Sequence, residues 1–369
     1  MKKKLLAVLL CAAMVVTAVG CGCSSSSSSS DTTEAEETET EEAAEETEEA
    51  SEETAETTTG GWTLGVNIQE FSNSFLSGMR TALQATADEL GIELDMVDGE
   101  SDTTVISGNI DLFLTKGYEI LAINMMNTTD AADILAKTSA EGVQVVFFNV
   151  QPEDEVMEEY SDSYYVGAKA EESGTMQGEA LVEWWNNNPD ADRNGDGVMQ
   201  YVMIMGDPGH QDSILRTEYS VAAITDAGIE VEEVANVTAN WMRADGQSEM
   251  EAVLAAHDDI EVVISNNDEM ALGAIEALKA AGYLVDGGEY IAVVGVDCNE
   301  EAQAAIEEGT MYSSVFNDGV SQADAVVKLC ELLHEGMTPT SENLGYDLDG
   351  QYVWVPYVAV TADNLDVVQ

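Results

Sequence analysis

Residues 260–268 read IEVVISNND. Ile260 to Ser265 is an apolar run of strand length, rich in β-branched side chains. It stops abruptly at three planar polar ones, Asn266, Asn267 and Asp268. An apolar run without alternation is the mark of a strand covered on both faces, as in parallel sheets flanked by helices. Similar runs lie at Leu64 to Ile68, Ile92 to Val97, Ile120 to Asn124, Val143 to Val150, Tyr201 to Met205, Glu230 to Val237, Ile291 to Val296 and Ser314 to Phe316. Between the early runs, 74–90, 103–116 and 129–141 carry apolar residues at three- and four-residue spacing. Strands alternating with helices predict an α/β fold with doubly wound parallel sheets.

The polar strand ends point to function, because ligands of open α/β sheets bind beyond the carboxyl ends of the strands. Asn124, Asn149, Asn266-Asn267-Asp268, Asp297 and Asn317-Asp318 all follow apolar runs. Asn and Asp are also good helix N-caps, which is the simpler reading. Capping does not explain why these ends are all amides and carboxylates, the groups that bind vicinal hydroxyls in pairs. The stretch GDPGHQDSILR, 206–216, starts a helix with His210, Asp212 and Arg216, the last two at i,i+4. An enzyme would use His210–Asp212 as an acid/base couple, but Ser213 is the nearest nucleophile and has no oxyanion-hole motif beside it. Asp212 and Asp297 are the carboxylates a glycosidase would need. Phe75 and Trp241 each start a predicted helix just after a strand, in different halves, and together could sandwich a flat sugar ring.

The amino-terminal region is of another kind. Lys2 to Lys4 precede an apolar stretch of about 15 residues that closes in Ala18-Val19-Gly20-Cys21, a secretory signal over 1–20 of lipoprotein type. Cys21 is the candidate lipidation site. Residues 24–30 are all Ser, and 31–60 hold only Asp, Glu, Ala, Ser, Thr and Gly, so 21–60 reads as a disordered acidic stalk between a lipid anchor and a folded part. The chain carries 12 basic and 72 acidic residues, net charge −60, and nine of the basic residues lie beyond the stalk. Such a domain repels nucleic acid and anionic membrane surfaces. Cys298 and Cys330, the thiols of that part, are either two buried free cysteines or one disulfide. About 310 residues exceed one ordinary core and predict two domains.

DADRNGDGVMQY, 190–201, resembles an unfinished EF-hand loop. Asp192, Asn194 and Asp196 stand at ligand positions 1, 3 and 5, Gly197 at the sharp turn, the Val198 carbonyl at 7 and Gln200 at 9. Position 12, a bidentate Glu in an EF-hand, is here Met203, inside an apolar run.

The segments VVFFN, YYVG…ESG…QG, DPGH-D, NND-MA-GA-EALKA, VGVD, FND and VPYV resemble, in order and spacing over residues 62–369, the galactose/glucose-binding proteins of bacterial ABC sugar transporters. These are type I periplasmic binding proteins. The resemblance implies two doubly wound parallel-sheet lobes joined by a three-strand hinge, with sugar held between them. The first lobe would take 61–149 and 318–354, the second 150–317 and 355–369. It implies stacking by Phe75 and Trp241 and hydrogen bonding by Asn73, Asn124, His210, Asp212, Arg216, Asn267, Asp297 and Asn317. Asn73 stands where the family has Asp, and Gln69 where it has an aromatic residue, so preference between D-galactose and D-glucose does not carry over. It also implies a structural Ca2+ held by Asp192, Asn194, Asp196, Val198 and Gln200 with a carboxylate from Glu261. The implied function is a lipid-anchored extracytoplasmic hexose receptor that delivers sugar to an ABC permease. The alternative is a sensor that presents its closed form to a chemoreceptor or kinase ectodomain.

Overall fold

The computed structural model describes residues 61–368. The signal, Cys21 and the stalk through Gly60 lie outside the described residues. The first half alternates β1 (Thr63–Ile68), α1 (Ser74–Leu90), β2 (Glu93–Asp98), α2 (Thr103–Lys116), β3 (Ile120–Ile123), α3 (Ala131–Ala140), β4 (Gln144–Phe148), α4 (Asp154–Glu159) and β5 (Ser163–Gly167). The second continues with α5 (Ala170–Asn187), β6 (Val198–Met205), α6 (Gln211–Asp226), β7 (Glu230–Thr238), α7 (Arg243–Ala256), β8 (Val262–Ser265), α8 (Asp268–Ala281), β9 (Ala292–Asp297), α9 (Glu300–Glu307) and β10 (Ser313–Phe316). The chain closes with α10 (Gly319–His334), α11 (Ser341–Leu344), β11 (Asp347–Asp349), β12 (Tyr352–Trp354) and β13 (Val358–Thr361).

Two sheets form. One has the order β11-β12-β5-β4-β3-β1-β2, the other β13-β10-β9-β8-β6-β7. Each contains the doubly wound order 2-1-3-4-5, with a switch point between β1 and β3 and between β6 and β8. Among the described residues only β11 on β12 and β13 on β10 run antiparallel. Each lobe has its own apolar core. Leu64, Val66 and Ile68 of β1 pack with Leu76, Met79 and Leu83 of α1 and with α10, and Val202, Ile204 and Val263 pack with α8. Cys330 is buried in the first of these cores and Cys298 in the second, both as free thiols.

The chain passes from the first sheet to the second after Gly167, back after Phe316, and across again after Trp354. Two of the crossings touch where Val355 N donates to the Gly167 carbonyl at 2.8 Å. Ala168, Val296, Val315 and Tyr357 form a small apolar cluster at this hinge. The lobe boundary expected at 149/150 moves. β5 pairs in parallel with β4, Val145 opposite Ser163 through Phe148 opposite Val166, so the first lobe runs on to Gly167. β5 is five residues long and follows an acidic stretch, and it carries too few apolar residues to stand out as a strand.

Candidate sugar-binding cleft

Between the carboxyl ends of the two sheets lies a cavity of about 360 Å3. That is at the lower end of small-molecule sites, about 300–1,000 Å3. Nine of the ten predicted ligand residues line it: Asn73 and Phe75 from the first lobe, His210, Asp212, Arg216, Trp241, Asn267 and Asp297 from the second, and Asn317 at the hinge. The lobes meet beside it, where a Cβ placed on Gly209 would lie 2.3 Å from Asn127 Oδ1.

Asn124 does not line the cavity. It is fully buried. Its Oδ1 accepts from Gln69 N at 2.9 Å, and its Nδ2 donates to Asn149 Oδ1 at 3.2 Å. It braces the wall and stands behind the residues that face the ligand.

The aromatic pair is built unequally. Phe75 sits in the first turn of α1, above Gly319, whose added Cβ would lie 3.1 Å from its ring. Trp241 precedes α7 in a loop where Asn240 and Trp241 both have left-handed backbone, φ 47° and 67°. Such a conformation is uncommon for a bulky residue and marks a position fixed by its surroundings. The surroundings are close. A Cβ on Gly206 would fall 2.3 Å from the indole, and the His210 ring lies edge-on with centroids 5.2 Å apart.

His210 caps α6. Its Nδ1 accepts from Asp212 N at 3.1 Å, which leaves the proton on Nε2 as the free donor. Burial lowers its pKa, so the ring is neutral. Arg216 is 3% exposed. Burial opposes its charge, but Tyr357, Asp212 and Asp297 outweigh it and the guanidinium stays charged. It donates to Asp212 Oδ2 at 2.7 Å, Tyr357 Oη at 2.9 Å and the Asn266 carbonyl at 2.9 Å. Its Nε is buried without a partner. An unpaired buried donor costs about 1–3 kcal/mol, and a ligand oxygen would relieve it.

The strand-end amides serve two roles at once. Asn73 Oδ1 caps α1 by accepting from Leu76 N at 3.0 Å, and Asn267 Oδ1 caps α8 through Met270 N at 3.1 Å. Capping takes one atom of each amide. In Asn73 it takes one lone pair of the acceptor oxygen and leaves the Nδ2 donor free. Asn317 is held by Gln322, whose Nε2 donates to Oδ1 at 2.6 Å, and its own Nδ2 reaches Asp297 Oδ1 at 3.4 Å. Burial pushes the Asp297 carboxyl above the usual range, partly countered by Arg216.

Sequence reasoning left other lining residues out of the site. Glu70, Ser101 and Asp207 come from the loops after β1, β2 and β6. Such loops lie beyond strand ends, where ligands of this fold sit, but no periodicity singles out one residue in them. Asn149, at a strand end and with φ 63°, also lines the cavity and was legible as one of the polar ends.

The loop before β6 folds back onto Glu261. Glu261 is 1% exposed and accepts from Arg193 N at 2.6 Å and Gln200 N at 3.1 Å. Asp192 accepts from the backbone of Gly195, Asp196 and Gly197 at 2.7–3.1 Å, Asn194 Oδ1 from Asp196 N at 2.9 Å, and Asp196 from Val198 N at 2.8 Å. Gly195 and Gly197 take φ of 79°, which L side chains resist. The Gln200 Oε1 is buried with no partner. Burial, with Asp192 and Asp196 nearby, raises the Glu261 pKa. Among the described residues no three His, Cys, Asp or Glu side chains converge as a ready metal cluster.

Two wound lobes, a three-strand hinge and a cleft between them, lined by polar groups and by an aromatic ring from each lobe, define a type I ligand-binding protein. The chain belongs to the periplasmic binding proteins, matching the family's periplasmic binding protein domain over residues 64–336. It is 37% identical to the D-galactose/methyl-galactoside binding periplasmic protein MglB of Haemophilus influenzae over 305 residues, 82% of this chain and 90% of that one. It is 29% identical to a putative rhizopine-binding protein of Rhizobium meliloti, over 82% of this chain and 91% of that one. A solute-binding protein of an ABC transporter from Bacillus halodurans, solved with bound myo-inositol, superposes with a TM-score of 0.70 at 27% identity, covering 85% of this chain and 98% of that one. The chain is thus a sugar-binding component of ABC transport, of an extracytoplasmic family, and not an enzyme.

Proposed function

We propose that the protein captures a hexose, D-galactose or D-glucose, between its lobes and delivers it to an ABC permease. The observation that carries this reading is the cleft itself. Phe75 and Trp241 face it from opposite lobes, and His210, Asp212, Arg216, Asn267, Asp297 and Asn317 gather at its edge. Free donors at His210 Nε2, Arg216 Nε and Asn73 Nδ2 match sugar oxygens, and the carboxylates of Asp212 and Asp297 match hydroxyl hydrogens. The galactose-binding relative at 37% identity supports a hexose over a cyclitol. Closure would exclude water and change the face offered to the permease.

Calcium at the 192–200 loop belongs to the same reading. The unpartnered Gln200 Oε1 and the buried Glu261 carboxylate fit a cation, which would be held by Asp192, Asn194, Asp196, the Val198 carbonyl, Gln200 and Glu261. Oxygen ligands of this mix suit Ca2+. The ion would pin the loop to the start of β8 and do no chemistry. The secretory signal over 1–20 supports a diacylglyceryl anchor on Cys21, with 21–60 as the stalk.

Titration calorimetry with D-galactose, D-glucose, D-ribose, D-xylose and myo-inositol tests the sugar. We expect saturable one-to-one binding of at least one hexose, tighter than any pentose or inositol. Absence of heat with both hexoses would refute the proposal.

A further inference from the structure

Asp268 is the first residue of α8 and is fully buried. It does not line the cleft. Its carboxylate is nevertheless committed to the segment that does. Oδ2 accepts from Asn299 N at 3.0 Å, and Oδ1 accepts from Ser314 Oγ at 2.7 Å. The same Ser314 Oγ accepts from Cys298 N at 3.0 Å. So one carboxylate holds two successive backbone amides, one directly and one through a hydroxyl.

The segment held is strained. Asp297 and Cys298 have φ of 111° and 53°, consecutive non-glycine residues in the left-handed half of backbone space. Each such residue costs of the order of 1–3 kcal/mol and persists only where its surroundings impose it. Asp297 lines the cleft, and the direction of its carboxyl depends on that backbone. Room for the arrangement is made by Gly295, two residues earlier in β9. A Cβ there would lie 2.2 Å from Asp268 Oδ1. A carboxylate at position 268, a hydroxyl at 314 and no side chain at 295 therefore act as one unit.

We infer that Asp268 is a positioning residue for sugar binding, holding the 297–299 turn through Asn299 N and Ser314 so that the Asp297 carboxyl points into the cleft. This rests on the hexose reading above. A helix N-terminus favours an acidic side chain on its own account, but that role requires no link to residue 314. An amide cannot replace the carboxylate. In Asp268→Asn one of the two acceptor oxygens becomes a donor, and either Asn299 N–H or the Ser314 hydroxyl loses its partner.

The test is a double-mutant cycle in the full-length protein, read as hexose affinity by calorimetry, with circular dichroism to confirm folding. Asp268→Asn is expected to weaken binding roughly ten- to hundredfold, the effect of one charged hydrogen bond. Ser314→Ala breaks the relay by another route and is expected to weaken it in the same range, so a folding failure of one variant leaves the other. Asp297→Asn weakens binding by itself. In that background, adding Asp268→Asn is expected to cost less than about threefold more, because the carboxyl it positions is gone. Wild-type affinity in both Asp268→Asn and Ser314→Ala would overturn the inference. So would full additivity with Asp297→Asn, the signature of a merely structural residue. If wild type binds no hexose, it is the functional reading that fails, and the cycle is then run with whichever monosaccharide binds.

Discussion

The two lobes share a plan and differ in what they do with it. In the first, Asn124 follows the last residue of β3, donates from its N to the Asn67 carbonyl, and accepts on Oδ1 from Gln69 N, just past β1. In the second, Asn266 follows the last residue of β8, donates to the Ile204 carbonyl, and accepts on Oδ1 from Gly206 N, just past β6. Both are fully buried. Each lobe thus ties its two switch-point strands together with the same amide. Beyond that tie they diverge. The first lobe offers the cleft an aromatic ring, amides and the loop carboxylate of Glu70. The second offers Arg216, the only cation of the wall among the described residues, with His210, Asp212, Asp297 and a tryptophan in left-handed backbone. It also carries the loop stapled to Glu261. The second lobe holds most of the fixed polar groups of the cleft, and on the proposed reading it is the receptor and the first lobe its cover.

That asymmetry can be broken by substitution. Arg216→Ala should have the largest effect. It strands Asp212 beside Tyr357 in a buried site, and losing one member of a buried ion pair costs about 3–5 kcal/mol. Sugar binding should vanish, and the melting temperature should drop by roughly 10 °C, read by calorimetric scanning. Trp241→Ala should weaken hexose binding on the order of a hundredfold, and Phe75→Ala by less. The reverse order would place the preorganised platform in the other lobe.

Gly209→Val tests the cover. Its side chain would meet Asn127 across the lobes, so affinity should fall about tenfold while the sugar-free melting temperature holds. Chelation with EDTA should lower the melting temperature by several degrees, on the scale of about 2.7 kcal/mol for an ion at a hundred times its Kd. A melting curve indifferent to EDTA and to added calcium would remove the ion from the account.

The smallest effect is in pH. Burial raises the Asp268 and Asp297 pKa values. Such carboxyls take protons more readily folded than unfolded. Their contribution to stability is greatest in acid and is lost as pH rises from about 4, where they titrate unfolded, through the folded values. His210 works the other way, because its lowered pKa favours the fold above about 6.5. Asp297 raises the Asp268 pKa, so the difference between Asp268→Asn and wild type reads the pair together. The variant's melting temperature should gain on wild type as pH rises above about 4. A gap independent of pH would mean that the pair titrates alike in both states.

The fold was legible because buried parallel strands leave apolar runs that sequence alone displays. β5 escaped because Ser163–Gly167 is short and Tyr164 is only partly buried. The site was legible where chemistry and strand ends coincide, as at Asn267, Asp297 and Asn317. Asn124 shows the limit. A strand-end amide reads the same whether it faces the ligand or turns back to brace a neighbouring strand, since side-chain direction leaves no trace in the pattern. Glu261 shows another. It is separated from the 192–200 loop by about 60 residues and by two helix–strand units, and only the resemblance joined them.

A crystal structure of the protein with D-galactose tests the receptor-and-cover account most directly. We predict a pyranose between Phe75 and Trp241, with His210 Nε2 and Arg216 Nε donating to its hydroxyl oxygens and Asn73 Nδ2 approaching from the cover. Galactose held by the first lobe's residues alone, or outside the cleft, would contradict it.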